Sequence, residues 1–176
     1  MDLIDLGAGA NRTENYETFL NQLCDRLEAS YASYATVNPI TGSVQGYANY
    51  PIAWKKHYMA NNLHLVDPTL HRAQLSIAPV DWSRFQKDKN FRAVFGPAHE
   101  FGITTRGITV PIRGPYGDRG LLSLTTTGTD DEWAKYRQSI VGELQLAAVH
   151  LHDAVMKSGV LSRVLRRPNL SRREAE

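Results

Sequence analysis

The stretch RGITVPIRGPYGDRGLLSLTTT, residues 106–127, decides the fold. Two runs rich in apolar and β-branched residues, RGITVPIR at 106–113 and GLLSLTTT at 120–127, flank the turn-rich GPYGD. Such runs read as strands, and a connection this short makes the pair antiparallel. Both runs are apolar on more than one side, so the sheet they build is expected to carry helices on both faces.

Working outward, residues 131–157 set Trp133, Ile140, Val141, Leu144, Ala148, Leu151 and Val155 on one broad helical face. On the other side, residues 90–101 read as a helix closed by Gly102 and interrupted at Gly96-Pro97. Residues 77–82 read as a short strand, and Pro68 opens a short helix through Gln74. Pro51 suits the first turn of a helix that holds Trp54 and Tyr58 on one face, four residues apart. Tyr31–Val37 alternates as a strand, is ended by the turn signals Asn38-Pro39 and Thr41-Gly42, and finds a hairpin partner in residues 44–49. A first helix over residues 14–29, N-capped by Thr13, buries Tyr16, Phe19, Leu20, Leu23 and Leu27. Hairpins outnumber helical crossovers in this order. The expected fold class is therefore α+β, a three-layer α-β-α sandwich around a central antiparallel sheet of about five strands.

A chain of 176 residues is long enough for one domain with a sizeable core. No apolar run approaches the roughly 18 residues of a membrane span, and the first ten residues, with Asp2 and Asp5, lack the basic start and long apolar centre of a signal peptide. Cytoplasmic residence without membrane association is the expectation. The lone Cys24 cannot form an internal disulfide and sits among apolar residues, as a structural thiol does. Net charge is +2, of which residues 160–176 carry +3 through Arg163, Arg166, Arg167, Arg172 and Arg173. The body is thus not a basic nucleic-acid surface, and the tail reads as a solvated linker or a nucleic-acid arm.

Motifs of catalysis are missing: no GxSxG elbow surrounds Ser123, and no P-loop, GxGxxG or CxxC occurs. His57, His64 and His71 stand seven apart, but the turn at Pro68 breaks any shared helix face, and His150 and His152 point to different sides of a helix. Neither a metal nor a cofactor is expected. The segment LHLVDPTL, residues 63–70, does place the carboxylate of Asp67 in an apolar run, where an ionised group needs a partner. Asp67 can be a helix N-cap, a general base paired with His64 or His71, or an acceptor for a bound molecule. Around it Tyr50, Trp54, Tyr58, Thr69 and Trp82 combine apolar area with polar tips. That set suits a small ligand that is greasy along most of its length and polar at one end, and equally suits a core.

The spacing of Trp54, Tyr58, Asp67-Pro68, Trp82 and Gly107, with the segment EFGITTRGITVPIRGPYGDRG, resembles the autoinducer-binding domain of LuxR-family quorum-sensing regulators. PNLSRREAE at residues 168–176 resembles the opening of the helix-turn-helix domain that follows in that family. The resemblance divides the chain into a binding and dimerisation domain over residues 1–160 and, over 161–176, a linker with the first residues of a truncated DNA-binding domain. It implies an N-acyl homoserine lactone as ligand, a homodimer, promoter DNA bound only through the missing domain, and no enzymatic activity. By resemblance Asp67 accepts the ligand's amide N–H and Trp54 donates to the lactone carbonyl. Tyr50 and Ser123 donate to the acyl carbonyl, Thr69 supports Asp67, and Tyr58 and Trp82 wall the pocket. The family more often spaces the glycines corresponding to Gly102 and Gly107 one residue closer. Lys55 falls where some relatives carry a basic residue near a substituted acyl carbon, though a lysine beside a helix is commonly just solvated. Two other readings remain at this point: an enzyme acting on an acylated small molecule with Asp67 as general base, and a ligand-independent dimerisation module.

Overall fold

The computed structural model describes residues 12–37 and 44–158. The expected linker over 161–176 and the turn signals at 38–42 lie outside the described residues. The elements run α1 (Arg12–Leu27), β1 (Tyr31–Val37), β2 (Val44–Ala48), α2 (Ile52–Ala60), α3 (Pro68–His71), β3 (Val80–Asp81), α4 (Lys89–Phe95), β4 (Gly107–Arg113), β5 (Arg119–Thr125) and α5 (Asp130–Ser158). Short 3-10 turns over Leu63–Leu65, Ala73–Leu75, Trp82–Phe85 and Pro97–Phe101 join the middle helices. The five strands form one sheet in the order β2-β1-β5-β4-β3, and every pairing is antiparallel.

The hairpin that opened the reading stands as β4 and β5, with Arg113 opposite Arg119 across the turn. Three expectations need correction. The first helix begins at Arg12, so Thr13 lies in its first turn and is not the cap. The strand over 77–82 shrinks to Val80–Asp81, because Ile77 is out in solvent, Pro79 offers no N–H, and the Asp81 carboxylate accepts from Ser83 N at 2.9 Å, turning Trp82 into a 3-10 turn. The helix after Pro68 ends at His71, and the Ala73–Leu75 turn closes with the shorter bond Leu75 N to Arg72 O.

Alternation along the strands splits the interior into two cores. Ala32 and Tyr34 of β1, Ile108, Val110 and Ile112 of β4, and Leu122 and Leu124 of β5 pack against α1 and α5. Tyr31 and Leu121 face the opposite way, toward α2, α3, α4 and the 3-10 turns. The α-β-α layering follows from that split. Cys24 belongs to the first core, where burial raises its thiol pKa and leaves it a packing residue.

A buried polar chain crosses the α1/α5 side. Tyr34 Oη lies 2.7 Å from His152 Nδ1, and His152 Nε2 lies 2.7 Å from Asp118 Oδ2. A carboxylate only accepts, so Nε2 carries the proton and Nδ1 accepts from the tyrosine. Gly120 makes the room, since a Cβ there would stand 2.4 Å from His152 Nδ1. The other end of α5 is held by Asp81, which accepts from Trp133 Nε1 at 3.1 Å and pairs with Arg137 at 2.5 Å.

Candidate functional site

The second core encloses a cavity of about 370 Å³ between the sheet and α2. Its floor follows from strand register: Ser33 pairs with Ala48 and Ala35 with Gly46, so small side chains face inward along the β1–β2 half of the sheet. Trp54 and Tyr58 on α2 and Asp67, Thr69 and Leu70 around α3 form the wall, and Trp82 with Phe95 closes the far end.

Asp67 is set before any ligand arrives. As N-cap of α3, with Pro68 in the first helical position, its Oδ1 accepts from Thr69 N at 2.8 Å and from Thr69 Oγ1 at 2.7 Å. Tyr58 Oη donates to Oδ2 at 2.7 Å. The cap reading and the binding reading of Asp67 are thus compatible. A carboxylate has about four lone-pair positions, so three bonds leave one open beside the cavity. Burial is the main influence on its acidity and raises the pKa, while the Thr69 and Tyr58 bonds pull it back. Neither His64 nor His71 hydrogen-bonds Asp67; His71 Nε2 is spent on the His64 backbone oxygen at 2.8 Å. The carboxylate–histidine pair that a general base would use is not assembled.

The three tryptophans separate by what their indole N–H groups do. Trp82 Nε1 donates to Thr109 Oγ1 at 2.8 Å and Trp133 Nε1 to Asp81 Oδ2. Trp54 is just as buried, at 2% exposure, yet its N–H meets no acceptor among the described residues. Phe95, Phe101 and His57 hold the Trp54 ring in place. The result is a fixed, unused donor on the cavity wall.

Six of the seven residues named from sequence, Tyr50, Trp54, Tyr58, Asp67, Thr69 and Trp82, line this one cavity. Burial raises the Tyr50 phenol pKa most, the nearby Asp67 charge adds to the shift, and the Ser33 hydroxyl opposes it. Ser123 is not among the lining residues: on the neighbouring strand it pairs with Ser33 on one side and Thr109 on the other, and its Oγ is 2.8 Å from Thr109 Oγ1. Ser33 takes the place on the cavity floor. Gly107 is explained by Trp82, whose ring would stand 2.5 Å from a Cβ at that position.

Ser33, Tyr47, Lys55, His64, Leu70 and Phe95 also line the cavity without having been named as site residues. The alternation of β1 could have supplied Ser33; the others come from segments whose mutual placement only the tertiary fold sets. Lys55, read as solvated, bonds Glu17 at 2.6 Å and the Ala48 oxygen at 3.2 Å through its ammonium. Among the described residues no group of three His, Cys, Asp or Glu side chains could hold a metal ion, and no helix is long and apolar enough to cross a membrane.

Comparison with known proteins converges on one group. The family described as Autoinducer binding domain matches residues 13–155. The transcriptional activator protein RaiR of Rhizobium etli is 36% identical over 129 residues, covering 72% of this chain and 53% of that protein. Escherichia coli SdiA shares the fold with a TM-score of 0.68 at 22% identity, covering 96% of this chain and 71% of that one. CepR2 of Burkholderia cenocepacia, an N-acylhomoserine lactone dependent LuxR family transcription factor, follows at 0.66 and 23% identity, covering 83% of this chain and 86% of that one. The chain spans about half the length of the curated relatives it matches.

Proposed function

Because this chain belongs to the autoinducer-binding domain family, we propose that it is the ligand-binding part of a LuxR-type quorum-sensing transcription factor. It binds an N-acyl homoserine lactone in the cytoplasm, forms a homodimer, and controls how a C-terminal helix-turn-helix domain, linked through residues 161–176, engages promoter DNA. The observation that carries the reading is the pairing of an unused donor, the Trp54 indole N–H, with a preset acceptor, Asp67, on the wall of one largely apolar cavity. An acyl-homoserine lactone presents the matching groups: a lactone carbonyl for Trp54, an amide N–H for the open lone pair of Asp67, and an acyl chain for the small-residue floor. Tyr50 donates to the acyl carbonyl with help from the sheet hydroxyls, Ser33 on the floor and Ser123 beside it on the neighbouring strand. Tyr58 and Thr69 hold the carboxylate, and Trp82 closes the end. Each methylene buried contributes roughly 0.8 kcal/mol, so the chain's length bears directly on stability.

The enzymatic alternative is not favoured, because among the described residues no histidine hydrogen-bonds the Asp67 carboxylate, and the nearby His71 has its Nε2 on the His64 backbone oxygen. Both readings meet in one experiment. Protein purified from cells fed a mixture of acyl-homoserine lactones is extracted and the extract weighed by mass spectrometry. One intact lactone recovered near one per chain supports the receptor. A ring-opened or cleaved product supports the enzyme, and a well-folded protein that retains neither overturns the assignment.

A further inference from the structure

Charge is not spread evenly over the folded body. Residues 83–92, SRFQKDKNFR, carry Arg84, Lys87, Lys89 and Arg92 against the single carboxylate of Asp88. The fold decides which way they point: Trp82, Phe85, Phe91, Val94 and Phe95 turn into the second core, and all four cations are left exposed. Asp88 is already spent. One of its oxygens caps α4 by accepting from Asn90 N at 2.8 Å, and the other pairs at 2.6 Å with Arg72, whose guanidinium lies over the Phe85 ring. Arg92 reaches the Lys87 backbone oxygen at 3.4 Å. Among the described residues no carboxylate pairs with Arg84, Lys87, Lys89 or Arg92. The near-neutral net charge of residues 1–159 therefore averages over one locally basic face. No large apolar side chain of residues 78–115 is exposed beside it.

We propose that the face formed by Arg84, Lys87, Lys89 and Arg92 is a nucleic-acid contact surface that binds the phosphate backbone of duplex DNA without reading its sequence. The inference goes beyond the receptor reading, since it puts a DNA contact on the ligand-binding domain itself; the choice of DNA among polyanions rests on the transcription-factor part of that reading. The make-up of the face favours a phosphate backbone over other acidic partners. Binding at a lipid surface uses apolar side chains that insert, and none is exposed here. Protein interfaces are depleted in lysine and centre on buried aromatic anchors, whereas the aromatic rings of this segment are already consumed by the core. Nucleic-acid interfaces are polar and strongly positive, with Lys and Arg neutralising phosphates. Such contacts add affinity and fix how the domain lies against the duplex, and they leave the choice of sequence to base contacts made elsewhere.

The test follows a fluorescently labelled duplex of scrambled sequence by anisotropy as the 176-residue chain is added, over a series of salt concentrations. Three variants accompany the native chain. One carries Arg84→Gln, Lys87→Gln, Lys89→Gln and Arg92→Gln. A second keeps the charge through Arg84→Lys, Lys87→Arg, Lys89→Arg and Arg92→Lys. The third replaces Arg163, Arg166, Arg167, Arg172 and Arg173 by Gln, which removes the basic tail from the comparison. All the substituted body positions are exposed, so unchanged urea midpoints show that the variants are folded. Each neutralised phosphate contributes roughly 0.9 to the slope of log K against log salt, so the glutamine variant of the face is expected to have a slope shallower by about 3 and an affinity at low salt at least about tenfold weaker. The charge-keeping variant binds as the native chain does, and the tail variant keeps most of the binding. No binding of the native chain at low salt, a glutamine variant that matches it, or tighter binding to phosphatidylglycerol vesicles than to the duplex overturns the surface. Lactone retention is measured on the same preparations. Lactone kept without DNA binding removes the surface and leaves the receptor standing, and DNA binding without any lactone does the opposite.

Discussion

The two faces of the sheet each bury a carboxylate linked to a tyrosine hydroxyl, through His152 on one face and directly on the other, and they differ in whether the hydrogen bonding closes. Under α5, Asp118, His152 and Tyr34 form a chain in which donor and acceptor are matched inside the protein. Under α2, Asp67 accepts from Tyr58 and Thr69 and still has an open position, while Trp54 nearby holds a donor with nothing to give it to. A polar group satisfied at home stabilises one packing arrangement; one left half-satisfied at a cavity selects what enters. The same residue chemistry thus serves architecture on one face and, under the proposed function, recognition on the other.

Breaking the closed face should produce the largest effect. Asp118→Ala leaves the His152 imidazole N–H buried without its acceptor, and a buried donor left unsatisfied costs about 1–3 kcal/mol. Urea unfolding is expected to show an unfolding free energy lowered by that amount, with ligand affinity of the surviving folded protein little changed. A loss of under about 1 kcal/mol would show that the chain is not the closed structural unit described.

Asp67→Asn is expected to do the reverse. The carboxamide oxygen still accepts from Thr69, so the α3 cap survives and the unfolding free energy changes by less than about 1 kcal/mol. Bonds to a charged acceptor are worth about 1.5–3 kcal/mol, so lactone affinity should fall roughly tenfold to a hundredfold. If stability collapses and affinity holds, Asp67 belongs with Asp118 as an architectural residue and the contrast between the faces fails.

Two tryptophans in the same cavity sharpen the point. Trp54→Phe removes a donor that makes no bond among the described residues, so it should cost affinity, about tenfold, more than stability. Trp82→Phe removes the donor to Thr109 and should cost stability first. Parallel thermal melts and titrations of the two variants check this, and identical profiles for both would contradict the assignment of Trp54 as the ligand's donor.

How far the site was legible follows from how local each signal is. The β4–β5 hairpin and the α5 stripe repeat over many residues, and the sequence pattern placed them within a few residues of their observed ends. Asp67, Trp54 and Tyr58, which line one cavity, could be grouped in advance because they sit within fourteen residues of one another, close enough for spacing to be informative. Ser33 was not named and His64 was weighed only as a proton partner of Asp67, because their shared place on the cavity lining depends on strand register and on a 3-10 turn, neither of which carries a periodic signature. Ser123 was drawn from family resemblance, and the register sets it between Ser33 and Thr109 on one face of the sheet, one strand away from the cavity floor. The short β3 was overextended because Pro79 and the Asp81 cap, both visible in the sequence, outweigh the β-propensity of Ile77 and Val80.

The smallest expected effect concerns protons. Burial raises the Asp67 pKa above its ordinary value, so in the free protein the neutral form is favoured relative to an unfolded chain. Stability from this group is present below the ordinary carboxylate pKa and is lost as pH rises through the raised value. A ligand amide N–H favours the ionised form and draws that value back down. Binding therefore releases a fraction of a proton in the window between the two, and affinity rises with pH there, by roughly a few-fold, before levelling off. Calorimetry in two buffers of different ionisation enthalpy measures the release directly, and Asp67→Asn should abolish it. Proton uptake on binding, or release that persists in the asparagine variant, would place the titrating group elsewhere and remove the open carboxylate from the recognition face.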